Sequence, residues 1–445
     1  MNKKSSDFWL FMIGMWSQTQ IHLVGSLGIS EFPIFLVAPF VFLIGYRELR
    51  QDGLLPFICL TIFTCIGSVL SGKVNHVYNV EILRGLASPY AIFAEVVVFH
   101  RLLRRNFGGL KWIIFGAFIS GIISIFVFQP ETYTMGRFGA ATGQEAVEAV
   151  TGYALFWSKK ISSLMNLPIS CMYFKTPLAY IIAAPLFEVG LKLVISHGSG
   201  RAAALVTMAS VVMLAFGRKS RERMFSIRNR VFLFMVVGLV SLLAFKVVYS
   251  QLAKQGILGP EAQEKYEKQT RMGSSALRIL MSGRMEFFCG VMAAMDRPII
   301  GFGNNALDEK GYALDYLQKY GAPEDYNMYA RTMYDAAMRG QIPRIPAHSH
   351  IASFWLYHGI FGLLLWLYVL WLMWLFVRRN SAAIPQWYGY FCLAIPATGW
   401  AIFFSPFGAR VGETVLITCL LLAKAVGQHR MYLPPELEQE ARKYS

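Results

Sequence analysis

Two histidines close a long polar stretch at Ile345-Pro346-Ala347-His348-Ser349-His350 and stand directly before an apolar run that opens at Ile351. An unperturbed imidazole titrates near neutrality, so His348 and His350 at a water–lipid boundary are placed for proton transfer. Metal binding is the other chemistry open to such a pair. No cysteine and few carboxylates stand at ligand spacing beside it, and no metal or other cofactor is expected. His358, two turns deeper than His350, reads as a histidine satisfied by helix packing. Arginines form the second set: Arg84, Arg137 in Met135-Gly136-Arg137-Phe138-Gly139, Arg201 in Gly198-Ser199-Gly200-Arg201, Arg284 in Ser282-Gly283-Arg284, and Arg410 in Phe407-Gly408-Ala409-Arg410. A guanidinium presents a planar, permanently charged fork that grips phosphate oxygens in bidentate fashion. Arg84 and Arg410 each have a blander reading as partners of Glu81 or Glu413, or as side chains snorkelling to headgroups.

The elements that must position these groups are membrane spans. Apolar residues make up 55% of the 445 positions and charged residues 15%, against about 25% charged in soluble domains. Crossing a hydrocarbon layer of about 30 Å takes about 20 apolar residues, and such runs recur everywhere except between Ser250 and Ala347. The stretch after Met1 runs straight into apolar sequence without a small-residue cleavage site, so no cleavable signal peptide is expected. The net charge of +16 is carried in short hydrophilic connections rather than on one soluble face. It therefore reads as a topology signal, and nucleic acid is not an expected partner.

Basic residues mark cytoplasmic connections at Lys3/Lys4, Arg47/Arg50, 100–111, 218–230, Arg378/Arg379 and 424–430. Between them spans fall at 8–26, 30–46, 54–72, 83–101, 111–129, 176–196, 201–217, 231–249, 351–377, 386–404 and 409–427. Parity demands one more crossing, and 142–167 is the place for it despite Glu145 and Glu148, whose charge must then face protein or water. The expected fold is an all-α polytopic bundle of about 12 transmembrane helices with a large extracytoplasmic loop subdomain. Its parts are an N-terminal bundle at 1–249 (spans 1–9), a loop subdomain at 250–350, C-terminal spans at 351–428 (10–12) and a cytoplasmic tail at 429–445. On this topology all five arginines and both histidines face the same outer side.

The loop carries amphipathic stretches around Leu277 to Met292 and a tyrosine-rich segment, Asp308 to Gly340. Those rings suit either sugar faces or an interfacial belt. Six cysteines offer neither a disulfide framework nor a metal spacing. Glu188 and Lys192, at i and i+4 in a span, read as a buried ion pair, with a proton relay as the alternative.

Three motifs in order resemble the O-antigen ligase and O-antigen polymerase superfamily of bacterial membrane glycosyltransferases. Gly198-Ser199-Gly200-Arg201-Ala202-Ala203-Ala204 is similar to a family step that opens a span with arginine. Ser282-Gly283-Arg284 followed by Gly301-Phe302-Gly303 resembles the family's Ser-Gly-Arg and Gly-x-Gly of the long loop. His348 followed by Gly359 and Gly362 resembles a histidine followed by a Gly-x-x-Gly step. The chain departs from the pattern at Ser349, where asparagine is common, and a second histidine follows at His350.

The resemblance implies a lipid-dependent, GT-C-like fold in the bacterial inner membrane with its active site facing the periplasm. Arg201 and Arg284 would hold the diphosphate of an undecaprenyl-diphosphate-linked glycan, and Arg137, Arg84 and Arg410 are secondary candidates. His348 or His350 would serve as base or orient the acceptor. Arginines stabilising the leaving diphosphate would make transfer metal-independent, and in-line attack would invert the anomeric centre. The expected activity is that of an O-antigen or exopolysaccharide polymerase, the tyrosine-rich segment offering a groove for a long glycan. A ligase acting on lipid A-core is the alternative. A lipid-linked oligosaccharide flippase is the rival class; it would call for charges near span midpoints and an internal repeat, and no repeat is seen.

Overall fold

The computed structural model describes residues 3–17, 20–22, 26–127, 165–170, 176–195, 206–214, 284–321, 323–380, 387–405 and 410–427, with short pieces between 250 and 270. It is a helical membrane protein. In chain order come α1 (Lys3–Trp16), the strands β1 (Gln20–His22) and β2 (Ser26–Gly28), α2 (Glu31–Gln51), α3 (Leu55–Val74), α4 (Asn79–Arg105), α5 (Leu110–Val127) and α6 (Leu178–Ile195). They are followed by α7 (Met285–Asp296), α8 (Tyr312–Tyr320), α9 (Pro323–Met338), α10 (His350–His358), α11 (Ile360–Leu375), α12 (Tyr388–Phe404) and α13 (Arg410–Gly427).

Among the described residues four helices are long and apolar enough to cross a membrane: α2, α3, α4 and Ile360–Arg378, which contains α11. The expected spans at 30–46 and 54–72 overlap α2 and α3, each starting one residue before its helix, and 83–101 lies inside α4. Helices α5, α6, α12 and α13 coincide with the expected spans at 111–129, 176–196, 386–404 and 409–427. Outside the described residues lie 231–249, most of 142–167, and 201–205 and 215–217 of the span at 201–217.

Two expected spans are not single helices. The run at 8–26 splits into α1, which ends at Trp16, and the antiparallel pair β1–β2, with Gln20 opposite Gly28 and His22 opposite Ser26. At about 1.5 Å per residue the 14-residue α1 is about 21 Å long, short of a full crossing. The run at 351–377 breaks at Gly359, whose φ of +67° and ψ of −151° suit glycine alone. Hydropathy averages over the break at Gly359 because the residues around it remain apolar, whereas the polar run Ser17-Gln18-Thr19-Gln20 already marks the end of α1 in the sequence.

The core lies where α4 packs on α2, α3 and α13, and α11 packs on α3 and α13. Phe57, Phe99, Trp366 and Leu416 are fully enclosed there. Helices α1 and α5 pack closely because a side chain at Gly14 would meet the Ile113 carbonyl, and one at Gly116 the Phe11 carbonyl, both at 2.2 Å.

Charge separates the two ends of this bundle. Where α2, α4 and α13 finish, Arg101, Arg104 and Arg105 pair with Glu48. Arg104 Nε donates to Asp52 at 2.6 Å, His100 Nε2 lies 2.8 Å from the same carboxylate, and Lys424 donates to the Gly53 carbonyl and the Tyr368 hydroxyl. Burial pushes the Asp52 carboxyl up, but the hydrogen bonds from His100 and Arg104 outweigh it and hold the group below the usual carboxylate range. The opposite end, where α3 finishes and α4, α11 and α13 begin, carries the loop subdomain and both histidines.

Candidate functional site

The segment that bears the histidines is tied down on both sides. Upstream, Ile345 N–H donates to the Ala306 carbonyl at 2.9 Å and Asp308 N–H to the Pro343 carbonyl at 2.8 Å, with Leu307 and Arg344 forming an antiparallel bridge. Asp308 is itself fixed, because its carboxylate accepts the Tyr312 and Ala313 N–H groups that α8 leaves unsatisfied at its start. Downstream, Ser349 caps α10 by accepting the Ala352 N–H at 3.2 Å, and its hydroxyl donates to the Ile402 carbonyl of α12 at 2.9 Å. The residue that departs from the resembled pattern thus joins α10 to α12.

The two histidines part company. His350 is fully buried, edge-on to Trp366 at 4.8 Å, with Nδ1 2.8 Å from the Ser405 carbonyl and Nε2 2.8 Å from Glu413 Oε1. A carbonyl only accepts, so Nδ1 carries a proton, and Nε2 is taken up by the carboxylate. His350 has no nitrogen left for a substrate. His348 is exposed and lines a cavity of about 460 Å³ together with Gly85 and Ser88 of α4, Asn304, Arg344, Ser353, Tyr357 and His358. His358 is 2% exposed, and its Nδ1 is enclosed without a hydrogen-bond partner among the described residues. It borders the cavity with that nitrogen unpaired among the described residues, where the sequence suggested a histidine satisfied by packing.

The arginines disperse. Arg84 pairs with Glu81, whose other oxygen accepts from Asn304 at 2.8 Å, so Arg84 reaches the cavity only through that carboxylate. Arg284 precedes α7 and stacks its guanidinium over Trp400 at 5.0 Å and Phe404 at 5.4 Å, against the end of α12. It does not line the cavity. Arg410 opens α13, and Glu413, one turn on, serves His350. Arg137 and Arg201 lie outside the described residues, as do the side chains of Glu188 and Lys192. Among the described residues the cation that does line the cavity is Arg344, which sequence reasoning missed; its place four residues before His348 was the available signal.

The glycines of the motifs have a packing explanation. Gly301 and Gly303 have φ of +77° and +79°, and a side chain at Gly301 would meet the Leu356 carbonyl at 2.7 Å. Phe302 N–H donates to that carbonyl and Ile360 N–H to the Ile299 carbonyl, seating the loop on the helix break at Gly359. A side chain at Gly359 would overlap the Ile299 carbonyl at 2.0 Å, and one at Gly362 the Phe354 carbonyl at 2.2 Å. These glycines shape the wall behind the cavity.

The tyrosine-rich segment is not a free sugar groove throughout. Tyr316 is buried and stacks on Phe288 at 5.9 Å, and the Tyr312 hydroxyl donates to Asp296 at 2.5 Å. The hydrogen bonds from Lys310 and Tyr312 hold the Asp296 carboxyl below its ordinary range. Cys289 is enclosed in the same cluster, and burial pushes its thiol up to about 12, so it remains protonated.

Residues 189–367 match the family model described as O-antigen ligase, a stretch that includes Arg201, Arg284, His348 and the glycine pairs. No curated protein matches the chain in sequence.

Proposed function

For a chain whose residues 189–367 match the O-antigen ligase family model, we propose transfer of a glycan from undecaprenyl diphosphate to an acceptor sugar hydroxyl, with His348 as the group that takes the acceptor proton. The observation that carries the reading is the cavity beside His348, at the end of the bundle opposite the basic helix termini. Basic termini belong on the cytoplasmic side, which supports a periplasmic site in an inner-membrane enzyme. In a step of this kind the acceptor oxygen bonds to the anomeric carbon as the bond from that carbon to the phosphate oxygen breaks. The electron pair stays on the diphosphate and the hydroxyl proton passes to His348. Attack opposite the leaving group inverts the anomeric centre, and cationic side chains supply the charge stabilisation that elsewhere falls to a divalent ion.

Arg201 and Arg284 keep their proposed role at the diphosphate. Arg284, stacked on aromatic rings near the protein surface, would meet the carrier lipid. Tyr312 and Tyr316 are buried, but Tyr326 and Tyr329 are half-buried and Tyr334 is exposed, so the segment still offers rings to a long glycan; a polymerase acting on a growing lipid-linked chain is the reading and a ligase acting on lipid A-core the alternative. Purified protein incubated with undecaprenyl-diphosphate-linked glycan, with and without lipid A-core and with EDTA throughout, tests the proposal. A ladder without lipid A-core identifies a polymerase and a single shifted lipid A-core band a ligase. No product under either condition overturns glycan transfer and revives the flippase.

A further inference from the structure

Arg344 stands in the wall of the His348 cavity with its backbone fixed and its charge uncommitted. The bridge to Leu307 and the flanking bonds at Asp308 and Ile345 hold its main chain, while its side chain is exposed. No carboxylate among the described residues pairs with it. Three other arginines at this end are engaged: Arg84 by Glu81, Arg297 by Asn75 and the Phe302 ring, Arg284 by two aromatic rings. Ser88 adds a hydroxyl and Asn304 an amide, one N–H of which is committed to Glu81, to the same cavity, and His358 contributes an enclosed ring nitrogen that lacks a partner among the described residues. A buried polar atom left in this way is costly unless a ligand or water completes it. The volume, about 460 Å³, is in the range of small-molecule sites.

We propose that Arg344, with Asn304 and His358 in the same cavity, forms an oxyanion subsite for a phosphate group of the lipid diphosphate. The inference rests on the glycan-transfer reading and deepens it, because it puts a leaving-group cation in the same cavity as the proton acceptor. Bond breaking concentrates charge on the phosphate oxygen, and a guanidinium at the cavity wall stabilises that charge more than it stabilises the bound substrate. Arg344 thereby lowers the barrier as well as holding the carrier.

The test uses the full chain in lipid nanodiscs and measures binding of undecaprenyl diphosphate and of undecaprenol, with inorganic pyrophosphate as competitor. Wild type is expected to prefer the diphosphate to the alcohol. Arg344→Gln should weaken diphosphate binding about 10-fold to 100-fold, the worth of a charged hydrogen-bonding contact, and leave undecaprenol binding unchanged. Arg344→Lys, which keeps the charge and loses the fork, should fall between, with a wild-type melting temperature in both variants. Pyrophosphate should displace the diphosphate from wild type and lose potency against Arg344→Gln, the sign that the phosphates rather than the isoprenoid are read. Undiminished diphosphate preference in Arg344→Gln or, should that variant misfold, in Arg344→Lys overturns the subsite. Wild type that prefers the diphosphate through Arg344 yet transfers no glycan would instead sink the enzymatic reading alone.

Discussion

His348 and His350 are two positions apart and differ in every physical respect that matters to proton transfer. His348 faces the cavity, whereas His350 is fully buried with both nitrogens held by Ser405 and Glu413. His348→Ala should therefore lower the transfer rate roughly 10² to 10⁴-fold. Its stability should stay within about 0.5 kcal/mol of wild type, because the side chain is exposed. His350→Ala should do the reverse. It strands the Glu413 carboxylate and the Ser405 carbonyl, a loss of about 1–3 kcal/mol that a melting curve in detergent would register. Equal stability loss in both variants would contradict the division of roles.

At the scale of elements the site depends on one break. Residues 350–375 are apolar enough to form a single helix, yet Gly359 separates α10 from α11 and lets the loop at 299–303 enter between them. Gly359→Ala adds a methyl group where the Ile299 carbonyl lies and imposes a positive φ on a residue with a side chain. The expected cost is at least about 1–3 kcal/mol, with increased proteolysis of the loop at 297–303 as the local sign. Wild-type stability in that variant would show that the break can close. Asp308→Ala removes the carboxylate that starts α8 and should cost about 0.5–2 kcal/mol, read as a lower melting temperature with the transmembrane helicity unchanged.

For the whole molecule the two ends carry different chemistry. Asp52 joins the junction of α2 and α3 to the end of α4, and its folded carboxyl is held below the ordinary value of about 4. Its stabilising contribution is fully present above that unfolded value and is lost as the pH falls through the lower folded value. The melting temperature of wild type should thus exceed that of Asp52→Asn at neutral pH, and the gap should narrow in acid below about pH 4. Sidedness is tested with single cysteines placed in a chain whose six native cysteines are replaced. Lys310→Cys should react with an impermeant maleimide in spheroplasts, and Arg105→Cys only after lysis. The reverse pattern would put the cavity in the cytoplasm.

Hydropathy and charge are local sums, so sequence alone determined the helical membrane class, the places of α2 and α4, the extents of α3 and α13 to within two residues, and which helix ends share a side. The same local information pointed to 345–350 and to the glycine pairs. It could not divide His348 from His350, because the partners that bury His350 lie 55 and 63 residues further along the chain. Nor could it foresee Arg344, whose cavity forms only when α4, the loop at Asn304 and α10 meet. Which polar groups face a partner and which face open space is a property of contacts between distant elements, and those exist only in the folded chain.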